Sequence, residues 1–289
     1  MAKVLGLKRH GPDRGNPLLR VLLFLVVLVI GLTMIIPFYW MLSSSLKLEH
    51  QIWLIPPLWF PNPIEWRNYL LLYEALPDLP RYILNSVFTS VTITVGSLLF
   101  NALAGYGFAR YQFKGRDLIF GLLLATMMIP GSVTMIPVFI FVKMVGWINT
   151  YQGLIVPGLA GAFGVFFMRQ FFLTIPNDLI DAGRIDGASE YRIFAQVAMP
   201  LARTAFSALT IFTFLGAWND YMWPATVLRS DSMATLPLFI ARLSRGLSYV
   251  MSYRVAMAGA SSVVMPVIIV FLVLQRHFIE GIALTGIKG

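Results

Sequence analysis

Cysteine is absent from the chain, which excludes disulfides and thiol nucleophiles. Histidine is scarce: His10, His50 and His277 stand far apart, with no carboxylate spacing around them that suggests a metal site. Charge is thin as well. Asp, Glu, Lys and Arg make up 12% of the 289 residues, against about 25% in a soluble domain. No G-x-x-x-x-G-K-[ST] occurs, so the chain has no phosphate-cradling loop of its own. No serine–histidine or paired-carboxylate arrangement points to an enzyme.

Apolar residues fill the space left by these absences. The chain is 58% hydrophobic with a mean hydropathy of +0.76, the composition of an all-α polytopic membrane protein. A net charge of +9 would suggest nucleic acid in a soluble protein. In this composition it reads as basic loops held on one side of a membrane, with no nucleic-acid partner. Six apolar runs are long enough to cross: Leu18–Met41, Leu84–Phe108, Leu118–Val142, Tyr151–Phe172, Thr204–Trp223 and Val255–Leu274. The third contains Pro130 and Pro137 and is expected to be kinked or broken. Residues 1–17 form a basic tail ahead of the first run. The tail mimics a signal peptide, but the apolar run exceeds the usual length of about 7–15 residues and is read as a retained span.

With both termini on one side, 14 of the 22 Lys and Arg residues fall on the side of the N-terminus and 8 on the other. The positive-inside rule then makes both termini cytoplasmic. The spans hold almost no acidic residues, Asp220 near the outer end of the fifth being the exception. Proton- or sodium-driven carriers place ionisable groups inside the membrane, so a self-contained secondary carrier is disfavoured. Energy for transport would arrive from another polypeptide, through a cytoplasmic surface.

One segment has the chemistry of such a surface. Between the fourth and fifth runs lies the polar stretch "DAGRIDGASEYRIFAQVAMP", residues 181–200. Pro176, Asn177 and Asp178 suit a helix start, and Gly187 suits the left-handed residue that closes it. Ser189 suits the cap of a second helix, which runs through Tyr191, Ile193, Phe194 and Val197 until Pro200 stops it. The pattern predicts two short helices joined at a glycine elbow. It fits a knob for a groove in another protein and, equally, an amphipathic hairpin on lipid headgroups.

This stretch resembles the EAA motif of bacterial ABC-importer permeases, E-A-A-x-x-D-G-A followed by a phenylalanine and a proline. Asp186-Gly187-Ala188, Phe194 and Pro200 match in place, and Asp181-Ala182-Gly183 stands where the family has E-A-A. Asp181 keeps the charge with a shorter reach, and Gly183 is expected to loosen the first helix by roughly 1 kcal/mol relative to alanine. "IPFYWMLSSSLK" (36–47), "RNYLLLY" (67–73), "AGYGFARYQFKGRD" (104–117), "MMIPGSVTMIPVF" (127–139), "WNDYMWP" (218–224) and "GIALTGIKG" (281–289) are similar to the MalG-like half of carbohydrate-importer permeases. The resemblance implies a permease domain over 18–289, with a coupling loop at 173–203 docking on an ATPase. It further implies a second, MalF-like permease, two copies of a cytoplasmic ATPase that bind ATP and Mg²⁺, and an extracytoplasmic sugar-binding protein. This chain itself would carry no cofactor and sit in a bacterial or archaeal inner membrane. The alternative cargo is a polyol or glycerol phosphate. A non-transporting membrane anchor would explain the elbow but not the polar groups of the fifth span.

For the substrate path the aromatic and polar side chains of Trp218, Asn219, Asp220 and Tyr221 are the candidates, since rings cover sugar C–H faces and carboxylates or amides take hydroxyls. The competing reading places them in an aromatic belt at the membrane interface. Asn85, Thr89 and Thr92 are weaker candidates, because such residues also hold helices together. "FARYQFKGRD" (108–117) reads as a basic topology anchor, and Trp53 and Trp59 of the outer loop 47–80 as belt residues.

Overall fold

The computed structural model describes residues 17–246 and 252–285. The basic tail before Pro17 and the last four residues of the glycine-and-lysine ending lie outside the described residues. Among the described residues the chain is helical, with no strand. Two compact units are formed, one from the chain up to Tyr69 with Ser252–Ser261, the other from Leu70–Met251 with the chain from Ser262 onward.

In the first unit α1 (Pro17–Ser45) is apolar all round, the pattern of a helix that faces lipid. Two short helices follow, α2 (Glu49–Ile52) and α3 (Arg67–Ala75), the latter continuing into the second unit. Polar groups knit this region. Asn68 Nδ2 donates to the carbonyls of Ser45 and Lys47 at 2.9 and 2.8 Å. The Lys47 ammonium lies 4.0 Å over the Trp40 ring. Trp59, half exposed, rests against Tyr39 and Trp40, while Trp53 rests against Tyr253. Glu49 accepts the backbone N–H groups of Tyr253 and Arg254 at 3.1 and 3.2 Å, where a carboxylate offsets the unpaired donors of a helix start.

The second unit begins its membrane part with α4 (Leu79–Arg110), followed by α5 (Arg116–Thr126), α6 (Gly131–Met144), α7 (Tyr151–Ile155) and α8 (Ala162–Thr174). Next come α9 (Asn177–Ile185), α10 (Glu190–Ile193), α11 (Met199–Leu201), α12 (Arg203–Asn219), α13 (Met222–Val227) and α14 (Leu236–Gly246). The last helix, α15 (Tyr253–Thr285), passes through both units. Four stretches are long and apolar enough to cross a membrane singly, Val21–Ser45, Leu79–Arg110, Tyr151–Thr174 and Tyr253–Val273; the count is six if each of two bent pairs is one span.

The α5–α6 pair turns by 104°. Pro130 causes it, because the residue before a proline is steered out of helical geometry and the proline has no N–H to donate. Pro137 lies inside α6 without ending it. The fifth span also departs from the sequence reading. Its helix stops at Asn219, Asp220 is extended, and a new helix starts at Met222.

α4 is the axis of the unit, packed on α8 and α12. Its inward face carries Ser86, Ser90, Thr94, Ser97, Asn101 and Gly105, while Leu84, Phe88, Val95 and Leu99 point outward. Small residues let helix backbones approach closely. A Cβ on Gly105 would meet Met168 Cβ at 2.8 Å and the Arg169 backbone N at 2.9 Å, and one on Gly164 would strike the Asn101 side chain. Gly158 and Gly164 of "GLAGAFG" thus serve close packing, whereas nothing lies within 4 Å of a Cβ built on Gly161. Asn101 Oδ1 accepts the N–H of Gly161 at 3.2 Å, at the gap where this span is interrupted before α8.

Candidate functional site

The elbow is built as follows. α9 ends in a left-handed glycine: Gly187 has φ of 74°. Ala188 N–H donates to Gly183 O and Gly187 N–H to Arg184 O, both at 3.0 Å, the paired bonds of a Schellman closure. Ser189 then caps the second arm, its hydroxyl accepting the Arg192 N–H at 3.4 Å. Pro200 does not stop this arm. Helical turns run from Glu190 to Leu201, widening into a π-helix at Phe194–Ala198, and the chain bends by 79° at Ala202. The Met199 N–H reaches back to Phe194 O; this wider turn accommodates the missing proline donor.

Ile180 of the first arm and Ile193 and Phe194 of the second are buried with Tyr106, Met168 and Phe172 in one cluster. Gly183, expected to loosen α9, also has a packing role. A Cβ there would lie 3.1 Å from Ile193 Cγ1, so the glycine lets the second arm sit on the backbone of the first. The buried cluster decides stability here, since truncating such a side chain costs about 2–5 kcal/mol and an exposed ion pair is worth about 0.2–1 kcal/mol.

Ion pairs dress the outside. Arg184 bonds Asp181 at 3.0 Å and Glu190 at 2.8 Å, so the short aspartate is paired within its own helix. Glu190 also accepts from Tyr111 Oη at 2.8 Å. Burial, then the bond to Glu190, pushes the Tyr111 phenol up to about 12, and the bond to Glu190 raises the Arg184 guanidinium further. Arg110 donates to the carbonyls of Phe172 and Ile175 and to Asn177 Oδ1, pinning the end of α8 to the start of α9. Within the stretch 108–117, Arg110 and Tyr111 bind the elbow, a role separate from that of a topology anchor. These partners lie more than 60 residues away in sequence, and no local pattern signals them.

The most exposed large apolar side chains of the elbow are Ile185 at 85% and Tyr191 at 82%. Asp181, Ala182, Asp186 and Gly187 are exposed with them, and nothing lies within 4 Å of a Cβ built on Gly187. Beside them a hollow of about 370 Å³ is lined by Leu103, Tyr106, Tyr111, Glu190, Tyr191 and Phe194.

The pathway candidates separate. Trp218 is 1% exposed, stacks on Phe214 and donates its indole N–H to Val263 O at 2.9 Å, so it offers no face to a solute. Asn85 is buried and saturated, donating to Ser232 O and Ala234 O and accepting from Tyr151 Oη. Thr89 is buried and bonds Asn85 O. Trp218 and Asn85 tie separate elements together, while Thr89 bonds back along α4. Asn219 is exposed but bonds back to Leu215 O, and Tyr221 is partly exposed. Asp220 Oδ1 accepts the N–H groups of Met222 and Trp223 at 3.0 and 3.2 Å, starting α13. Asp220 also lines a cavity of about 560 Å³ together with Ser132, Thr213 and Trp223. Ser132, Thr213 and Trp223 were not singled out by the sequence as lining groups; a proline-broken span facing a span with a lone aspartate was the signal for them.

Comparison with known proteins supplies relatives over nearly the whole chain. Residues 101–283 match the family model described as binding-protein-dependent transport system inner membrane component. The arabinooligosaccharides transport system permease protein of Bacillus subtilis (strain 168) is 35% identical over 283 residues, 97% of this chain and 99% of the relative. The sn-glycerol-3-phosphate transport system permease protein of Yersinia pestis bv. Antiqua (strain Antiqua) is 30% identical over 89% of this chain and 94% of the relative. A chain of a bacterial ABC transporter involved in the import of the acidic polysaccharide alginate shares the fold, with a TM-score of 0.78 at 23% identity, over 92% of this chain and 98% of that one.

Proposed function

Given that the chain belongs to the family of binding-protein-dependent transport system inner membrane components, we propose that it is one permease of an ATP-driven importer for a sugar or oligosaccharide. It forms the pathway with a second, MalF-like permease and hydrolyses nothing itself. Two copies of a cytoplasmic ATPase bind ATP and Mg²⁺ and turn over beneath it, and an extracytoplasmic binding protein delivers the solute. The observation that carries this reading is the elbow. It is anchored by a buried cluster, and its tip offers exposed Ile185 and Tyr191 to a protein cleft. Lipid headgroups would require no such anchoring. In this assignment Asp181, Ala182, Asp186, Gly187, Ala188 and Ser189 present the knob, while Phe194 and the bend after Pro200 hold it. A glycerol phosphate cargo is the second reading, favoured by the Yersinia pestis relative.

Affinity purification of the full chain from its native membrane is expected to bring down an ATPase and a second permease, and the reconstituted assembly to take up solute only with ATP. A lone chain that accumulates solute unaided would refute the reading. Orientation is tested on the same cysteine-free background. Asn62→Cys and Arg192→Cys should be labelled by an impermeant maleimide from opposite faces of the membrane, with residue 192 on the cytoplasmic face.

A further inference from the structure

Two of the interrupted spans of the second unit have their breaks beside one cavity. Gly131 and Ser132 follow the first break, Asp220 and Met222 flank the second, and all four line the cavity of about 560 Å³. Non-helical backbone at membrane depth is tolerated where it is buried in protein or faces a water-filled space, and the exposed Gly131, Ser132 and Met222 leave this cavity open to its surroundings. Its size falls within the range of roughly 300–1,000 Å³ typical of small-ligand pockets.

The polar groups on its wall are few and free. The hydroxyls of Ser132 and Thr213 make no hydrogen bond among the described residues. Asp220 spends Oδ1 on two backbone N–H groups and keeps Oδ2 unengaged. The Trp223 indole is fixed by its N–H bond to Gly153 O at 3.1 Å, leaving its ring as wall. Ser132 and Thr213 can each donate or accept, a carboxylate accepts from hydroxyls, and aromatic rings cover C–H faces. Among the described residues no Lys, Arg or His lines the cavity. The start of α6 brings only the partial positive charge of a helix N-terminus, set against the full charge of Asp220.

Resting on the import reading above, we infer that this chain itself holds a binding site for an uncharged polyhydroxylated solute, a neutral sugar unit, and that the site disfavours anionic cargo such as a sugar phosphate or a uronate. A phosphate or carboxylate would face Asp220 with no basic side chain to offset it, whereas hydroxyls find a carboxylate, two hydroxyls and a ring.

The test uses the assembled importer carrying Thr213→Cys as its only cysteine, with Ser132→Cys as a second variant should the first fail to assemble. Two thiol probes are compared, a trimethylammonium and a sulfonate methanethiosulfonate. The cationic probe is expected to react about tenfold faster, relative to the ratio on free cysteine. Adding Asp220→Asn should bring that ratio to within about twofold of free cysteine. Arabinotriose at saturation should slow labelling by about fivefold or more, and sn-glycerol 3-phosphate at the same concentration should not. A probe ratio equal to that of free cysteine, equal protection by glycerol phosphate, or no protection by the neutral glycan would each overturn the inference. The importer reading is judged separately, by co-purification of the ATPase and ATP-dependent uptake.

Discussion

The elbow and the helical bundle bury opposite things. The elbow hides Ile180, Ile193 and Phe194 and shows Asp181 and Arg184 to its surroundings. α4 hides Ser86, Ser90, Thr94, Ser97 and Asn101 and shows Leu84, Phe88, Val95 and Leu99. Within one chain the rule for what goes inside is reversed, because one region is arranged for water and the other for hydrocarbon. In lipid an outward leucine costs nothing, and association rests on close backbone approach and hydrogen bonds. In water an outward apolar side chain is informative when it joins a patch. The same exposure therefore means different things. On α4 it fits a lipid-facing surface, and at Ile185 and Tyr191 it fits the partner surface proposed above.

Four substitutions probe this contrast. The largest loss is expected for Phe194→Ala, which empties the water-type core of the elbow at a cost of about 3–5 kcal/mol. Limited proteolysis of the chain in detergent should then cut within 177–201 far sooner than in wild type. Unchanged resistance would show that the cluster does not hold the elbow. Next comes Gly105→Ala in the lipid-type core. Its Cβ would press on Met168 and on the backbone of α8, and overpacking of this kind costs about 1–3 kcal/mol. Thermal unfolding in detergent should register it, and an unaltered midpoint would mean that α4 and α8 do not approach so closely.

Gly187→Val has a smaller stability cost, roughly 1–2 kcal/mol for a side chain at positive φ. Its expected effect on coupling is larger than that cost. The variant should reach the membrane but lose either the ATPase on purification or the stimulation of ATP hydrolysis by loaded binding protein. Full stimulation in the reconstituted variant would return the elbow to the headgroup reading. The smallest change is expected for Arg184→Ala. Its pairs with Asp181 and Glu190 are exposed, so about 0.2–1 kcal/mol is lost, and less at high salt. A loss of several kcal/mol on thermal unfolding would mean that the network, rather than the buried cluster, carries the elbow.

The elbow was legible in sequence because its determinants are local. A glycine at the left-handed position, a serine cap and an apolar spacing all lie within twenty residues of one another. The break at Pro130 was legible for the same reason. What could not be read depends on partners far along the chain. Arg110 and Tyr111 reach the elbow from the end of α4, and nothing in "FARYQFKGRD" distinguishes that role from a loop that fixes topology. Trp218 and Asn85 carry the residue types of a sugar site, yet the fold spends them on Val263, Ser232 and Ala234. Composition names the groups able to bind a sugar, and only packing tells which are still free to do so. The early stop at Asn219 has no signature in the sequence, because an apolar run continues through Trp223 whether or not the helix does.

The polar inner face of α4 also bears on how the chain is made. The most apolar window of α1 has a mean hydropathy of 3.0 and is nowhere buried in the chain, while that of α4 falls to 1.7. α1 can leave the ribosome and partition into lipid unassisted. α4 enters the bilayer with a row of hydroxyls and an amide whose proper neighbours, α8 and α12, are still untranslated. Until they arrive, α4 is an incomplete half of an interface. The polar face of α4 is therefore fully matched only once α12 has been inserted.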